Sequence, residues 1–248
     1  YFFAREVYKT QKVPMGIIHS SAGATAAEAW TSGEALRKQM AFDYPQQLAE
    51  LTKATEGISP DYDFFQDLTK WVATVDPQSA KRKYTSDPQL DTKDWIDIEV
   101  PKPWQEAGLK EHHGLVWFRR EIEIPEGWGR QDLSLLLSIV NDQDIVWLNG
   151  SLIGSRQIPG TLRTYHVDAK LVRPGKNLLV VAIINQMGPG GFCSAPANMV
   201  LRPAVNPGNQ TVRLGGTWKA KASVKFEDLA TPFPTPAVGH YKTFTSLY

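Results

Sequence analysis

The residues that could do chemistry gather first around Gly23. Val13-Pro14-Met15-Gly16-Ile17-Ile18-His19 is a short, continuous apolar run, and Ser20-Ser21-Ala22-Gly23-Ala24-Thr25 follows it as a small-residue loop. A glycine just beyond the carboxyl end of a parallel strand can aim its backbone N–H into the crevice where α/β ligands bind and so stabilise an oxyanion. A glycine there also serves a tight strand-to-helix turn, and spacing leaves both roles open for Gly23. No G-x-S-x-G elbow surrounds Ser20 or Ser21, which argues against either as a nucleophile. His19, His112, His113, His166 and His240 show no spaced metal-ligand pattern. Cys193 is an isolated thiol without an identifiable base and reads as packing. Asp142 and Asp144 bracket Gln143 and could offer oxygens to calcium, but an aspartate entering a strand ordinarily satisfies local backbone donors. No metal site and no cofactor are assigned.

Composition bounds what such residues could serve. The chain has 248 residues with 27 basic and 26 acidic side chains, so it carries no overall field that would draw it to nucleic acid or an anionic membrane. One cysteine permits no internal disulfide. No apolar run approaches the roughly 20 residues that span a bilayer, so membrane insertion is not expected.

The elements that must position these residues change character along the chain. Phe2, Phe3, Val7 and Tyr8 share a helical face, and the run from Val13 to His19 has the pattern of a strand buried on both faces of a parallel sheet. Thr31-Ser32-Gly33-Glu34 fits a capping box for a helix whose apolar side continues through Leu36, Met40, Leu48 and Leu51, interrupted at Pro45. Phe64, Phe65, Leu68, Trp71, Val72 and Val75 recur at three- and four-residue steps and predict a further amphipathic helix. The triplet Lys81-Arg82-Lys83 beyond it reads as a solvated terminus. From Trp95 the rhythm becomes that of strands: 95–100, 116–124, 133–137, 145–148, 151–154, 178–184, 199–201 and 217–220. Asn149-Gly150 between two of them predicts a type I′ hairpin, since both residues tolerate positive φ. These strands predict an antiparallel sandwich or jelly roll from about residue 90 to 205, followed by an extended proline-rich tail.

Two stretches carry a resemblance. Tyr1-Phe2-Phe3-Ala4-Arg5-Glu6 and the segment Val13 to Trp30 resemble the sialate O-acetylesterases, carbohydrate esterases of the SGNH type. The likeness continues through Gly114 to Arg120, Asn141-Asp142-Gln143-Asp144, Leu148-Asn149-Gly150 and Pro174-Gly175-Lys176-Asn177. It implies a mixed α+β fold, with a galactose-binding-like antiparallel β-sandwich (jelly roll) inserted into a partial α/β SGNH hydrolase domain. The implied division is a partial esterase domain over 1–90, the sandwich over 91–205, and a return strand with an extended tail over 206–248.

The resemblance assigns Gly23 the oxyanion-hole N–H. Ser21 and Thr25 keep the family's residue types, and Glu28 and Trp30 match its E-x-W; all four are expected to brace the loop. The family's usual S-S-W-G-G-T reads here with Ala22 and Ala24 in place of a tryptophan and a glycine. The nucleophilic serine and the catalytic histidine of that family would lie outside these residues, so the chain is expected to be the middle of an esterase and inactive alone. Its expected partners are an acetylated sugar or sialoglycan and the remaining segments of the same esterase, in a secreted, periplasmic or lysosomal setting. The alternative is a non-catalytic carbohydrate-binding or scaffold sandwich, for which Trp104, Trp128, Tyr165 and Phe192 are the candidate sugar contacts.

Overall fold

The computed structural model describes residues 2–13, 31–32, 34–35, 64–110, 112–156, 160–231 and 233–234. The chain divides into two compact units, Tyr1–Tyr62 with Thr235–Tyr248, and Asp63–Pro234. In the first, helix α1 (Phe2–Gln11) forms where the sequence spacing predicts it, and Lys9 pairs with Glu6 one turn back at 2.9 Å. The expected strand at Val13 to His19 beyond Val13 itself, the loop carrying Gly23 and most of the helix expected after Thr31 lie outside the described residues.

The second unit opens with helices α2 (Phe64–Val75) and α3 (Pro77–Lys81). Leu68, Trp71 and Val72 are the buried face of α2, as their three- and four-residue spacing requires. Asp76 separates the two helices and starts the second: its Oδ1 accepts the Ser79 N–H at 3.1 Å, with Pro77 at the first helical position, where a missing N–H is harmless. The other oxygen of the same carboxylate accepts from Trp117 Nε1 at 2.9 Å and from the Ser223 hydroxyl at 2.6 Å. One side chain thus caps a helix and ties it to two strands of the sheet beneath.

Eleven strands follow: β1 (Ile96–Val100), β2 (Gly114–Ile124), β3 (Leu133–Asn141), β4 (Gln143–Leu148), β5 (Ser151–Arg156), β6 (Thr161–Val167), β7 (Gly175–Asn185), β8 (Gly191–Phe192), β9 (Met199–Pro203), β10 (Val212–Arg213) and β11 (Gly216–Lys225). They build two antiparallel sheets, one ordered β1-β11-β2-β7-β4-β5 and the other β10-β9-β3-β6, with β8 also paired to β3. The fold is therefore mostly antiparallel β-sandwich with few helices. Residues 216–225, expected as a return strand beyond the sandwich, are an inner strand of it, hydrogen-bonded to β1 on one side and β2 on the other.

Alternation along the strands explains the core. Val116, Phe118, Ile122 and Ile124 of β2 face Leu133, Leu135 and Leu137 of β3 across the sandwich, all buried in one cluster. Each such side chain removed from water contributes on the order of 1.5–3 kcal/mol. β7 departs from alternation because both of its faces are covered: Leu179, Val181 and Ile183 belong to that cluster, while Val180, Ala182 and Ile184 between them are equally buried on the opposite face. Its continuous apolar run from Leu178 to Ile184 is the sequence signature of that double burial.

The β4–β5 hairpin forms as its Asn-Gly dipeptide predicts, with φ of 51° at Asn149 and 85° at Gly150. Gly150 has a second reason to lack a side chain: a Cβ there would come within 2.7 Å of the Ser86 Cβ.

Candidate functional site

The hairpin turn forms one wall of a cleft of about 620 Å³ in the second unit. Residues 86–92, which meet the hairpin turn at Ser86, supply a second side, and residues of β1, β2, β11 and the start of β7 complete the lining. Two asparagines hold the walls in register. Asn149 donates to Asn177 Oδ1 at 2.8 Å and accepts from Leu178 N at 2.9 Å, so the hairpin turn is stitched to the start of β7. The Asn177 amide in turn donates to the carbonyls of Arg173 and Gly175, at 2.6 and 2.8 Å, and closes the turn that carries Arg173. Gly175 sits at φ 82°, which suits a residue without a Cβ.

Charge is distributed unevenly over this lining. The lining residues include five cations, Arg119, Arg120, Arg173, Lys176 and Lys219, and two carboxylates, Asp97 and Glu121, with Arg119 and Arg120 on opposite faces of β2. Both carboxylates are taken by lysines, Asp97 by Lys219 at 2.8 Å and Glu121 by Lys176 at 2.9 Å. Arg119 and Arg120 have carbonyl partners, and Arg119 also lies over the Trp95 ring, 5.8 Å from its centroid. Arg119 donates to Tyr84 O and, at 2.6 Å, to Asp87 O; Arg120 donates to Leu214 O at 2.7 Å and Gly215 O at 2.8 Å. Burial pushes both guanidinium groups below their ordinary range, while Asp87 and Glu99 act on them only through space. Arg173 is exposed, and its guanidinium makes no ion pair or hydrogen bond among the described residues.

Asp97 and Glu121 are not arranged as an acid–base pair. They stand on strands with β11 between them, two strand spacings or about 10 Å of sheet apart, and each is held by its own lysine. No nucleophile stands beside a base among the lining residues.

A second polar group lies between the sheets. Asp144 of β4 points into the core, where Arg163 Nε and the Tyr165 hydroxyl of β6 both donate to it, and all three side chains are buried. Arg163 also reaches Asp142 O at 2.8 Å and Thr161 O at 2.9 Å. Burial raises the Asp144 carboxyl above its ordinary range against the opposing pull of Arg163 and Tyr165, and it raises the Tyr165 hydroxyl as well. Asp142 accepts from Gln186 N at 2.8 Å. The oxygens weighed as calcium ligands are therefore spent on an arginine, a tyrosine and a backbone donor, and no group of metal-binding side chains occurs among the described residues.

The sequence-derived site residues fall in two places. Gly23, Ser21, Thr25, Glu28 and Trp30 lie outside the described residues. Trp104, Trp128, Tyr165 and Phe192 are core side chains, between 0% and 6% exposed, and offer no ring face to a sugar. Trp104 donates to His112 O at 3.2 Å, Trp128 to Gln210 Oε1 at 3.0 Å, and Phe192 stacks edge-on with Phe118. Cys193 is partly buried, and burial pushes its thiol up, away from nucleophilic use. The motifs Gly114 to Arg120, Leu148-Asn149-Gly150 and Pro174-Gly175-Lys176-Asn177 contain cleft residues, but nothing in the sequence says that these segments come together.

The class defined by this geometry is an antiparallel β-sandwich with a cationic cleft at the end of one sheet. Comparison with known proteins finds no matching family model. A β-glucuronidase of Paenibacillus borealis is 26% identical over 124 residues, 47% of this chain and 20% of the relative, so the chain spans about a fifth of the length of that curated relative. Among solved structures, a β-glucuronidase of an uncultured Clostridium species is 26% identical over 45% of this chain and 20% of its own, with a TM-score of 0.39. The β-glucuronidase of Ruminococcus gnavus is 16% identical over 59% of this chain and 26% of its own, with a TM-score of 0.38. The sequence match corrects the sialate O-acetylesterase expectation: the relative is a glycosidase, not a carboxylic ester hydrolase, and the reading as an SGNH-type esterase is withdrawn with it. The motifs that suggested an esterase sandwich, such as Leu148-Asn149-Gly150 and Pro174-Gly175-Lys176-Asn177, are the turns that close the hairpin and open β7. They report sandwich geometry, which many hydrolases share.

Proposed function

We propose that the sandwich is a non-catalytic accessory domain of a larger glycoside hydrolase that acts on a β-linked sugar. The observation that carries this reading is the 26% identity to a β-glucuronidase over 124 residues, a domain-sized share of that enzyme. The internal chemistry agrees with an accessory role. Asp76 and Asp144 spend their hydrogen-bonding capacity on structural partners, and the two carboxylates of the cleft are neutralised by lysines. A glycosidase needs two carboxyl groups flanking the scissile bond at a separation of about 5–9.5 Å. In this reading the reacting carboxylates belong to another part of the parent protein, and the sandwich helps to hold that part in place.

The test captures the natural protein from its source cells with an antibody raised against this chain, and assays it on p-nitrophenyl β-D-glycosides and on p-nitrophenyl acetate. Release of p-nitrophenol from a glycoside supports the reading. Captured protein that hydrolyses the acetate ester and no glycoside sinks it.

A further inference from the structure

We infer that the outward face of the β10-β9-β3-β6 sheet is the surface by which the sandwich docks on the rest of its parent polypeptide, against a partner surface that carries carboxylates. This role deepens the accessory-domain reading and rests on it for the existence of a larger parent. Strand alternation sets the face apart. In β3, Leu133, Leu135 and Leu137 point into the core, so Ser134 and Leu136 point out, and Ile139 joins them past the irregularity between Leu136 and Ile139. In β9, Met199 and Leu201 belong to the core, which turns Val200 and Arg202 outward. In β6, Arg163 and Tyr165 point inward, which turns Leu162 and His166 outward. A sheet face left to water ordinarily carries polar side chains. Here Leu162 lies opposite Ile139, and Leu136 opposite Val200, so an apolar stripe runs from β6 over β3 to β9. Leu162 is 40% exposed, and the other three are half-buried.

The charge left over at the border of the stripe is positive. Arg202, opposite Ser134, and Arg213, opposite Val200, make no ion pair or hydrogen bond among the described residues. Asp132 at the edge is already engaged: His166 Nε2 lies 3.7 Å from one of its oxygens, and the Ala169 N–H donates to the other at 2.8 Å. Arginine beside apolar surface is the composition of an interface. Two such cationic borders laid face to face repel, which disfavours a second copy, whereas carboxylates meeting the two guanidinium groups complete them. Area points the same way. Four strands at about 4.8 Å spacing, with outward positions over about six residues, make a face of about 400 Å². Contact across it buries about 800 Å² on both sides together, within the roughly 600–1,500 Å² of contacts between domains of one chain. Stable association of separate proteins buries about 1,200–2,000 Å². The outer face of the six-stranded sheet has an occupant of its own: Asp76 holds Trp117 and Ser223 there, and Tyr84 packs edge-on against Trp117 at 5.6 Å.

The experiment labels the natural protein, captured from its source cells with an antibody against this chain and eluted. Phenylglyoxal reads arginines and hydroxyl radicals read leucines, natively and after urea unfolding, with each site followed by peptide mass spectrometry. Arg173 and Leu152, exposed on the side of the six-stranded sheet, are the references. Arg202, Arg213 and Leu162 should label several-fold less than the references in the native protein and equally after unfolding, within one polypeptide longer than 248 residues. Native labelling of Arg213 and Leu162 equal to the references overturns the docking face. Shielded Leu162 beside reactive arginines overturns the carboxylate-bearing partner. Shielding in a dimer of 248-residue chains, or shielding lost when a separate protein is removed, overturns the choice of occupant. Glycosidase activity is read separately on the same sample. A captured glycosidase whose face labels freely sinks the docking role and leaves the accessory reading standing; a longer polypeptide that shields the face and cleaves no glycoside does the reverse.

Discussion

Asp144 of β4 and Arg163 of β6 meet in the dry interior of the sandwich and form an ion pair that joins one sheet to the other. Tyr165 donates to the same carboxylate, so two successive inward-facing residues of β6 converge on one residue of β4. Removing one partner would strand a buried charge. Asp144→Ala is expected to lower the stability of the sandwich by about 3–5 kcal/mol in urea unfolding. Replacing Asp144 with Leu, Arg163 with Met and Tyr165 with Phe together should cost much less, because no charge is then left unpaired. Equal losses in the single and triple variants would show that the pair does not join the sheets as described.

Gly114 opens β2 at φ 154°, with the backbone of Val224 and Lys225 against the position a Cβ would take. The obstacle is main chain on β11, which cannot swing aside as a side-chain tip does. Gly114→Ala is expected to cost about 1–3 kcal/mol and to loosen the β2–β11 pairing. Hydrogen exchange would report it as lost protection at Ala222 and its neighbours. Gly108, around which nothing lies within 4 Å, serves as the control for steric crowding.

His112 gives the sandwich a pH dependence with a definite sign. Its ring is buried against Trp104 and donates from Nε2 to Leu115 O at 3.3 Å. Burial holds its pKa below the ordinary value of 6.5, with Lys225 and His113 acting in the same direction and the Leu115 carbonyl and Glu227 opposing. The unfolded chain therefore takes up the proton first as pH falls. The stability contribution of neutral His112 is complete above about pH 6.5 and declines below it, with a slope of at most about 1.4 kcal/mol per pH unit. His112→Gln should flatten the urea midpoint between about pH 6.5 and pH 5. An unchanged slope in the variant would assign the dependence to other groups.

Trp104 tests the difference between a core ring and a sugar platform. It is fully buried, stacks on Phe118 and fills the space where any side chain on Gly190 would stand. Trp104→Ala should destabilise by about 3–5 kcal/mol. Gly190→Ala, which drives a methyl into the same ring, should also destabilise, by about 1–3 kcal/mol. A soluble Trp104→Ala chain with the parent's melting temperature would contradict the packing role.

What was legible in the sequence was local. Asn149-Gly150 states its hairpin in two residues, and the Phe64 to Val75 periodicity states its helix, because turn chemistry and helical faces are set by near neighbours. Partnership between distant residues was not legible. Nothing within Gly216 to Lys225 says that it will lie between β1 and β2, and nothing near Arg163 says that an inward strand position will hold a guanidinium paired with Asp144. The tryptophans misled because the same large ring suits a core and a sugar-binding surface, and only burial separates the two. The cleft is assembled from six separate segments, and its charge balance depends on which lysine each carboxylate meets. The esterase resemblance drew on turn motifs that recur wherever a sandwich closes the same corners, so it carried architecture further than it carried chemistry.

The central claim is that the sandwich does no chemistry of its own. The direct measurement is p-nitrophenol release by the purified 248-residue chain from p-nitrophenyl β-D-glucuronide and from p-nitrophenyl acetate, beside a matched buffer control. The account predicts rates indistinguishable from buffer on both substrates. Turnover of either one that vanishes on a single substitution in the cleft, such as Glu121→Gln, would contradict it.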